Sequence, residues 1–334
     1  MTSAFVYPRI TIGITTFDRF GFLIETINSI REQVFSDYRV IIANDNPSRK
    51  LDASSLGISD DYRFRVINHE TNIGEIQTLN SLLNLAETEY FTWLSDDDLF
   101  HPLFLREACI ELDGDAEAVA FYSSYSTGRY WQPELIEVNP NQNTQIFDKL
   151  TLLPNYASRA IQLIGCYGVF RRTAILATGG FHQLGSGFAP YADTILPVLM
   201  TSQGKILYND TKYVFLRIHE SSLSNSSREL ESYVSAQLDF LNLVSPFLRE
   251  SLEMDGYKVH RDFFNWFSRD RAEVIGRNPG LILPLFIQFK QDMVFLSRLE
   301  INIAGKLALL PTLLNRFCMT ARRLLKSKII KFHS

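Results

Sequence analysis

The chain has 334 residues, 46% of them hydrophobic and 13% aromatic. That is enough apolar material for a large α/β domain with a smaller appendage, and it excludes a disordered chain. A formal net charge of -4 gives no electrostatic case for nucleic-acid binding. The 3 cysteines, Cys109, Cys166 and Cys318, are odd in number and far apart, which speaks against a disulfide framework or a zinc site and fits a reducing cytoplasm.

Met1 to Ile10 lacks a basic stretch followed by a long apolar run, so no secretory signal is read there. Arg9 to Thr15 is rich in β-branched residues and predicts a buried strand. Phe22, Ile24, Ile27, Ile30 and Val34 recur at three- and four-residue steps and predict an amphipathic helix. Tyr38 to Ala43 reads as the second strand, ending in the turn-rich Asn44 to Ser48. Arg65 to Asn68 gives a third strand, Ile73 to Ala86 a second helix, and Tyr90 to Leu94 a fourth strand running into Ser95-Asp96-Asp97-Asp98. Such alternation predicts a mostly parallel, doubly wound sheet with helices on both faces and a site at the carboxyl ends of its strands.

Further along, Ala118 to Ser124 and Lys205 to Tyr208 read as strands, and Arg171 to Thr178 and Asp193 to Ser202 as helices. From about Ser226 glycine becomes sparse and helical patterns dominate, over Leu230 to Phe247 and from Leu281 to the end. The expected division is a nucleotide-binding domain over 1–225 and a helical extension over 226–334. The apolar stretch Gly280 to Leu296 is interrupted by Pro284, Gln288, Lys290, Gln291 and Asp292, so no membrane-spanning helix is expected.

Two constellations carry chemistry. Consecutive carboxylates at Asp96, Asp97 and Asp98 repel one another unless a cation or solvent relieves them. Mg²⁺ or Mn²⁺ is a hard cation suited to such oxygens and to a diphosphate, and a solvated acidic turn is the competing explanation. Asp45 on its loop, with Thr15, Thr16 and Phe17 at the end of the first strand, has the groups to hold a pyrimidine base: a carboxylate for the imide N–H and a ring for stacking. An Asx turn and a core phenylalanine explain the same residues without a ligand.

Taken in order, these segments resemble glycosyltransferase family 2, inverting enzymes of the GT-A fold, over roughly residues 8 to 225. Thr15 to Arg19 looks like the opening motif of that family, and Gln33 to Tyr38 like the segment before its second strand. Val40 to Ser48 resembles the strand ending in Asp-Asp-Gly/Asn-Ser, while Asn72, Gly74 and Asn80 match an Asn-x-Gly…Asn pattern. Leu94 to Pro102 resembles the segment bearing the DxD metal motif, with Ser95 where an Asp is common. The resemblance implies that Asp97 binds Mn²⁺ or Mg²⁺, with Asp98 as the alternative ligand and Asp96 near ribose or metal. Gly168 to Arg172 and Gly179-Gly180-Phe181 look like the acceptor side of the family. The Glu-Asp motif then reads Tyr191-Ala192-Asp193, which implies Asp193 as the catalytic base while Ala192 departs from the pattern. Arg217, His219, Ser222 and Ser224 resemble a late motif that contacts pyrophosphate or metal.

The implied nucleotide-sugar site therefore comprises Thr15, Thr16, Phe17, Arg19, Asp45, Asn72, Gly74, Asn80, Asp96 and Arg217, with Asp97, Asp98 and His219 as metal ligands. The implied donor is a UDP- or dTDP-sugar, and the acceptor a hydroxyl of a glycan or lipid-linked molecule in cell-surface polysaccharide biosynthesis. Competing readings are a catalytically inactive domain serving as a scaffold, an oxidoreductase and a nucleotidylyltransferase. Neither of the last two finds the Gly-rich phosphate loop it needs near the N-terminus. After Glu300 no acidic residue follows, yet Lys306, Arg316, Arg322, Arg323, Lys326, Lys328 and Lys331 alternate with apolar residues. From about Gly305 the tail is expected either to dock peripherally on the inner face of the membrane or on a partner, or to pack on its own domain.

Overall fold

A computed structural model describes residues 8–136, 138, 143–163, 167–185, 190–219, 230–251 and single positions between 259 and 270. All 7 residues of β1 (Ile10–Thr16) are buried, because β1 runs parallel between β2 (Tyr38–Asn44) and β4 (Tyr90–Ser95). Strands covered on both faces are rich in apolar and β-branched residues, which is why these were visible in the sequence. β3 (Phe64–Asn68) adds in parallel outside β2. The connections between these strands include α1 (Phe20–Arg31) and α2 (Glu75–Leu85).

The second half of the sheet is mixed. In chain order it contains β5 (Leu99–Phe100), α3 (Phe104–Gly114), β6 (Ala118–Gly128), β7 (Gln145–Phe147), α4 (Lys149–Ala157), β8 (Gly168–Arg171), α5 (Arg172–Ala177), α6 (Ala192–Met200) and β9 (Lys205–Arg217). The strand order is β3-β2-β1-β4-β8-β6-β9-β5, with β7 also on β9. β8 is antiparallel to both β4 and β6, and β5 and β7 are antiparallel to β9. The long β6–β9 ladder is parallel and interrupted by bulges at Ser123/Ser124 and Ser124/Tyr125, which bend a ladder and re-aim its side chains.

Three features differ from the expectation. β9 joins the expected strand Lys205 to Tyr208 and the strand-like run Lys212 to Arg217 into one, with Asp210 and Lys212 pointing outward between buried neighbours. The buried face of α1 is Leu23, Thr26, Ile27, Ser29 and Ile30, while Ile24 is 36% and Val34 57% exposed. The short elements β5, β7 and β8 were not anticipated, nor were α3 and α4.

The chain divides into two compact units, residues 1–152, 159–183 and 192–222 forming one and residues 153–158, 184–191 and 223–334 the other. The described part of the second is built on α7 (Leu230–Ser251). Its core is aromatic: Tyr191 packs 4.9 Å from Phe267, and Phe240 lies 5.3 Å from Phe263. The Tyr191 hydroxyl accepts from Gln237 and donates to Asp270, both at 2.8 Å. No helix among the described residues is long and apolar enough to cross a membrane. The expected helix from Leu281, the basic tail from Gly305, and Ser222 and Ser224 lie outside the described residues.

Candidate active site

Parallel register brings the ends of the first strands to one edge: Thr16 stands opposite Asn44 and Thr15 opposite Ser95. The loops that follow therefore leave the sheet together. Thr16 Oγ1 donates to Asp96 Oδ2 at 2.6 Å. Arg19 reaches across from the start of α1, its Nη1 lying 3.0 Å from Asp96 Oδ1 and 2.6 Å from Asp97 Oδ2. Thr15 Oγ1 accepts from Trp93 Nε1 at 3.1 Å. Phe17 projects from this edge and is 52% exposed, so its ring face is open for stacking.

The acidic triplet is not a solvated turn. Asp96, Asp97 and Asp98 are all buried, none more than 7% exposed. Burial raises the Asp96 carboxyl to about 6, against the opposing Thr16 hydrogen bond and the Arg19 charge. Asp98 is raised to about 7, first by burial and then by the neighbouring Asp97. Asp98 answers this with two donors: the Tyr167 hydroxyl on Oδ2 and the Arg217 backbone N–H on Oδ1 at 2.9 Å. It thereby ties the end of β9 to the loop after β4.

That tie delivers His219, two residues beyond Arg217, whose Nε2 lies 2.9 Å from Asp97 Oδ2. The His219 ring rests 4.5 Å from that of Phe22 on α1. Of the three expected metal ligands, Asp97 and His219 converge, while Asp98 is committed to Tyr167 and Arg217. Among the described residues no group of three or more His, Cys, Asp or Glu forms a metal cage. Two protein donors beside a diphosphate nevertheless fit Mg²⁺ or Mn²⁺, which draw the rest of their shell from phosphate oxygens and water. The Arg217 guanidinium pairs with Glu25 at 2.9 Å and sits 4.7 Å from the Phe22 ring centroid. In this arrangement it is held by α1.

On the β2 side, Asp45 is buried and takes the N–H groups of Ile73 at 2.9 Å and Gly74 at 2.8 Å, with His69 Nδ1 at 3.1 Å. Asn72 Oδ1 also accepts from the Gly74 N–H, at 3.0 Å. Gly74 has φ +84, a conformation that glycine alone adopts readily. Asp45 and Asn72 therefore set the start of α2. Both polar atoms of the Asn80 side chain are used by the Phe181 backbone, each at 2.9 Å. The Asn80 amide thus holds the Gly179-Gly180-Phe181 turn.

Asp193 stands in the first turn of α6. Its Oδ1 accepts the Thr194 N–H at 2.8 Å and the Thr194 hydroxyl at 3.3 Å. Among the described residues its other oxygen takes no hydrogen bond. Burial raises the carboxyl above the ordinary range, with the Thr194 bonds opposing, which makes it a stronger base once ionised. Sequence reasoning passed over one residue here, Glu75, the first residue of α2. Its carboxyl feels Arg19, Asp193, Asp96 and Asp97 together. The only signal for it was its place directly after Gly74, which a helix-start acid shares with many residues of no function.

Comparison with known proteins agrees with this geometry. The family model described as "Glycosyl transferase family 2" matches residues 11–175. The chain is 32% identical over 93 residues to the GalNAc(5)-diNAcBac-PP-undecaprenol beta-1,3-glucosyltransferase of Campylobacter jejuni, covering 27% of this chain and 30% of that one. It is 29% identical over 125 residues to the uncharacterized glycosyltransferase YwdF of Bacillus subtilis, covering 36% and 46% respectively. It thus spans less than half the length of these curated relatives. Among solved structures, TarS 1-349 of S. aureus in complex with UDP-GlcNAc superposes with a TM-score of 0.57 at 15% identity, over 85% of this chain and 81% of that one. The mannosyltransferase PcManGT of Pyrobaculum calidifontis, in complex with GDP-Man and Mn2+, gives 0.53 at 16% identity, over 96% and 88%. The ordered motifs, the mixed sheet and these matches identify the chain as a member of glycosyltransferase family 2 with the GT-A fold.

Proposed function

We propose that the chain is an inverting glycosyltransferase that moves a sugar from a UDP- or dTDP-sugar to a hydroxyl of a glycan or lipid-linked acceptor in cell-surface polysaccharide biosynthesis. The observation that carries this reading is the buried acidic edge, where Arg19 Nη1 lies 3.0 Å from Asp96 and 2.6 Å from Asp97 and His219 Nε2 lies 2.9 Å from Asp97. In-line displacement at an anomeric carbon needs a base opposite a diphosphate pole, and Asp193 and the Asp96–Asp97 edge supply groups suited to the two roles. Asp193 takes the acceptor proton as the hydroxyl attacks. Phe17 and the Asp45 loop hold the base, Arg19 faces the phosphates, and Asp97 with His219 would hold Mg²⁺ or Mn²⁺. When bound, that cation offsets the negative charge gathering on the departing diphosphate.

The lipid-linked acceptor is suggested by the name of the Campylobacter relative and by the basic tail, and the metal by the Mn2+ of the archaeal structure. The experiment is donor profiling: the full chain with Mn²⁺ and a panel of UDP-, dTDP- and GDP-sugars, followed by nucleoside diphosphate release and the anomeric configuration of the product. Release from one donor class with inverted configuration supports the reading. Tight binding of nucleotide sugars without turnover on any acceptor would favour the scaffold alternative that Ala192 suggests, and a retained configuration would overturn the assignment of Asp193.

A further inference from the structure

Helix α1 meets the end of β9 through two side chains, Phe22 and Glu25. They stand three residues apart, so both lie on one flank of the helix. The Phe22 ring has the Arg217 guanidinium over it at 4.7 Å and the His219 ring 4.5 Å away, tilted by 40°. Glu25 takes the same guanidinium in an ion pair at 2.9 Å. On the strand side, the Arg217 N–H is fixed on Asp98 at 2.9 Å, and the Ile218 N–H donates to the Gly128 carbonyl at 2.7 Å. Arg217 is buried, Ile218 is 48% exposed and the His219 ring is largely covered again, the alternation of an extended segment. Arg217 and His219 therefore come to Phe22 from the same side of this arm.

Burying Arg217 is costly for a strand end. Its side chain is 6% exposed, and its Nε finds no acceptor among the described residues. A guanidinium with an idle buried donor forgoes hydrogen bonding that water would supply. What it has instead is its place over Phe22, with Glu25 as its charge partner. Phe22 in turn supports His219, whose Nε2 lies 2.9 Å from Asp97 Oδ2. The contacts form one line, from Glu25 through Arg217 and Phe22 to His219, and it ends at the acidic edge.

Resting on the transferase reading above, we propose that Phe22 and Glu25 are positioning residues for His219. Phe22 fixes the imidazole beside Asp97, and Glu25 holds Arg217 against the Phe22 ring. A phenyl ring carries no metal-binding atom, so its effect on Mn²⁺ or Mg²⁺ passes through its neighbours. An imidazole free to turn must be ordered each time a cation is bound, whereas one already seated on a ring is preorganised. The purely structural alternative is that Phe22, Glu25 and Arg217 only pin β9 to α1. It predicts lower melting temperatures for the variants and no change in how far metal strengthens nucleotide binding.

The test reads metal coupling apart from turnover. The full chain is titrated calorimetrically with UDP, dTDP and GDP, each with Mn²⁺ and with EDTA. The gain in affinity that Mn²⁺ brings to the tightest of the three is then compared among variants. Phe22→Leu should cut that gain about tenfold and Glu25→Ala about threefold, with affinity in EDTA as in wild type. Phe22→Tyr, which keeps the ring, should retain the gain. His219→Ala should lose it, and adding Phe22→Leu or Glu25→Ala to His219→Ala should cost nothing more. An unchanged gain in Phe22→Leu or in Glu25→Ala overturns the proposal and leaves the transferase reading standing. Losses that persist undiminished in the His219→Ala background overturn it in the same way. The Glu25 side chain is 58% exposed, so Glu25→Ala decides the matter even if Phe22→Leu does not fold. Absence of any gain in the wild type overturns the metal assignment of the transferase reading and this proposal with it.

Discussion

His219 Nε2 lies 2.9 Å from Asp97 Oδ2, although 122 residues separate them in the chain. The contact depends on Asp98, which takes the Arg217 N–H and so fixes the end of β9 beside the loop after β4. Of the three residues expected to bind metal, Asp97 faces His219, and Asp98 holds the strand end that brings His219 there.

Asp98 is expected to matter more for stability than Asp97. Removing its carboxylate leaves the Tyr167 hydroxyl and the Arg217 N–H without their acceptor in a buried place, a loss of about 2 kcal/mol. Asp98→Ala should lower the unfolding free energy measured in urea by that amount and move the midpoint down accordingly, with Asp98→Asn intermediate. An unchanged midpoint for Asp98→Ala would show that β9 is held by other contacts.

Gly180 has φ +84, and a Cβ there would stand 2.5 Å from Asn80 Oδ1. Gly180→Ala therefore strains the backbone and collides with the side chain that anchors the turn, costing about 2 kcal/mol. The same change in an Asn80→Ala background should cost less, since the collision is gone. Equal costs in both backgrounds, measured by denaturant unfolding, would dismiss the steric part of the argument.

The buried carboxyls give the metal-free protein an unusual pH profile. Asp96 at about 6 and Asp98 and Glu75 at about 7 are raised above their unfolded values by burial, so between about pH 4 and 7 the folded state holds protons that the unfolded state has released. Stability then falls as pH rises through that window. On the acid side, hydrogen bonds from Arg9 and Arg63 hold Asp113 and Asp61 below the ordinary range. Their contribution is full above the unfolded carboxyl value, about 4, and is lost as pH falls below it. Thermal melts in EDTA should peak near pH 5. A melting temperature that climbs steadily from pH 5 to 8 would contradict the burial of the acidic edge.

Much of the parallel half of the fold was legible, because β1, β2 and β4 are buried and appear as short runs rich in β-branched and aromatic residues ending in polar clusters. The phase of α1 was misread: Ile24 and Val34 continue its apolar spacing, while its buried face includes Thr26 and Ser29, which no hydrophobic count would choose. β8, with 4 residues, is too short to carry a period of its own, and Gly168 to Arg171 is a strand only because β4 and β6 pair with it. Within the site, residue types pointed to the acidic edge, and the resemblance to the family implied Asp193. They did not show that Asp98 and Asn80 are spent on backbone groups 119 and 101 residues away.

Asp193 has one oxygen engaged by Thr194 and, among the described residues, no hydrogen bond on the other, an arrangement suited to a base that acts on the acceptor. Asp193→Asn should lower kcat by about 100-fold or more while leaving donor affinity within twofold of wild type. A matching loss of donor affinity would move Asp193 into the donor site.

The most direct test of the account is nucleotide-sugar turnover by wild type and Asp97→Asn, each with Mn²⁺ and with EDTA, on the donor selected by profiling. The account predicts nucleoside diphosphate release by wild type with Mn²⁺, and a fall of about 100-fold or more on adding EDTA or on changing Asp97. Equal release under all four conditions would contradict a metal-assisted departure of the diphosphate at the Asp97–His219 pair.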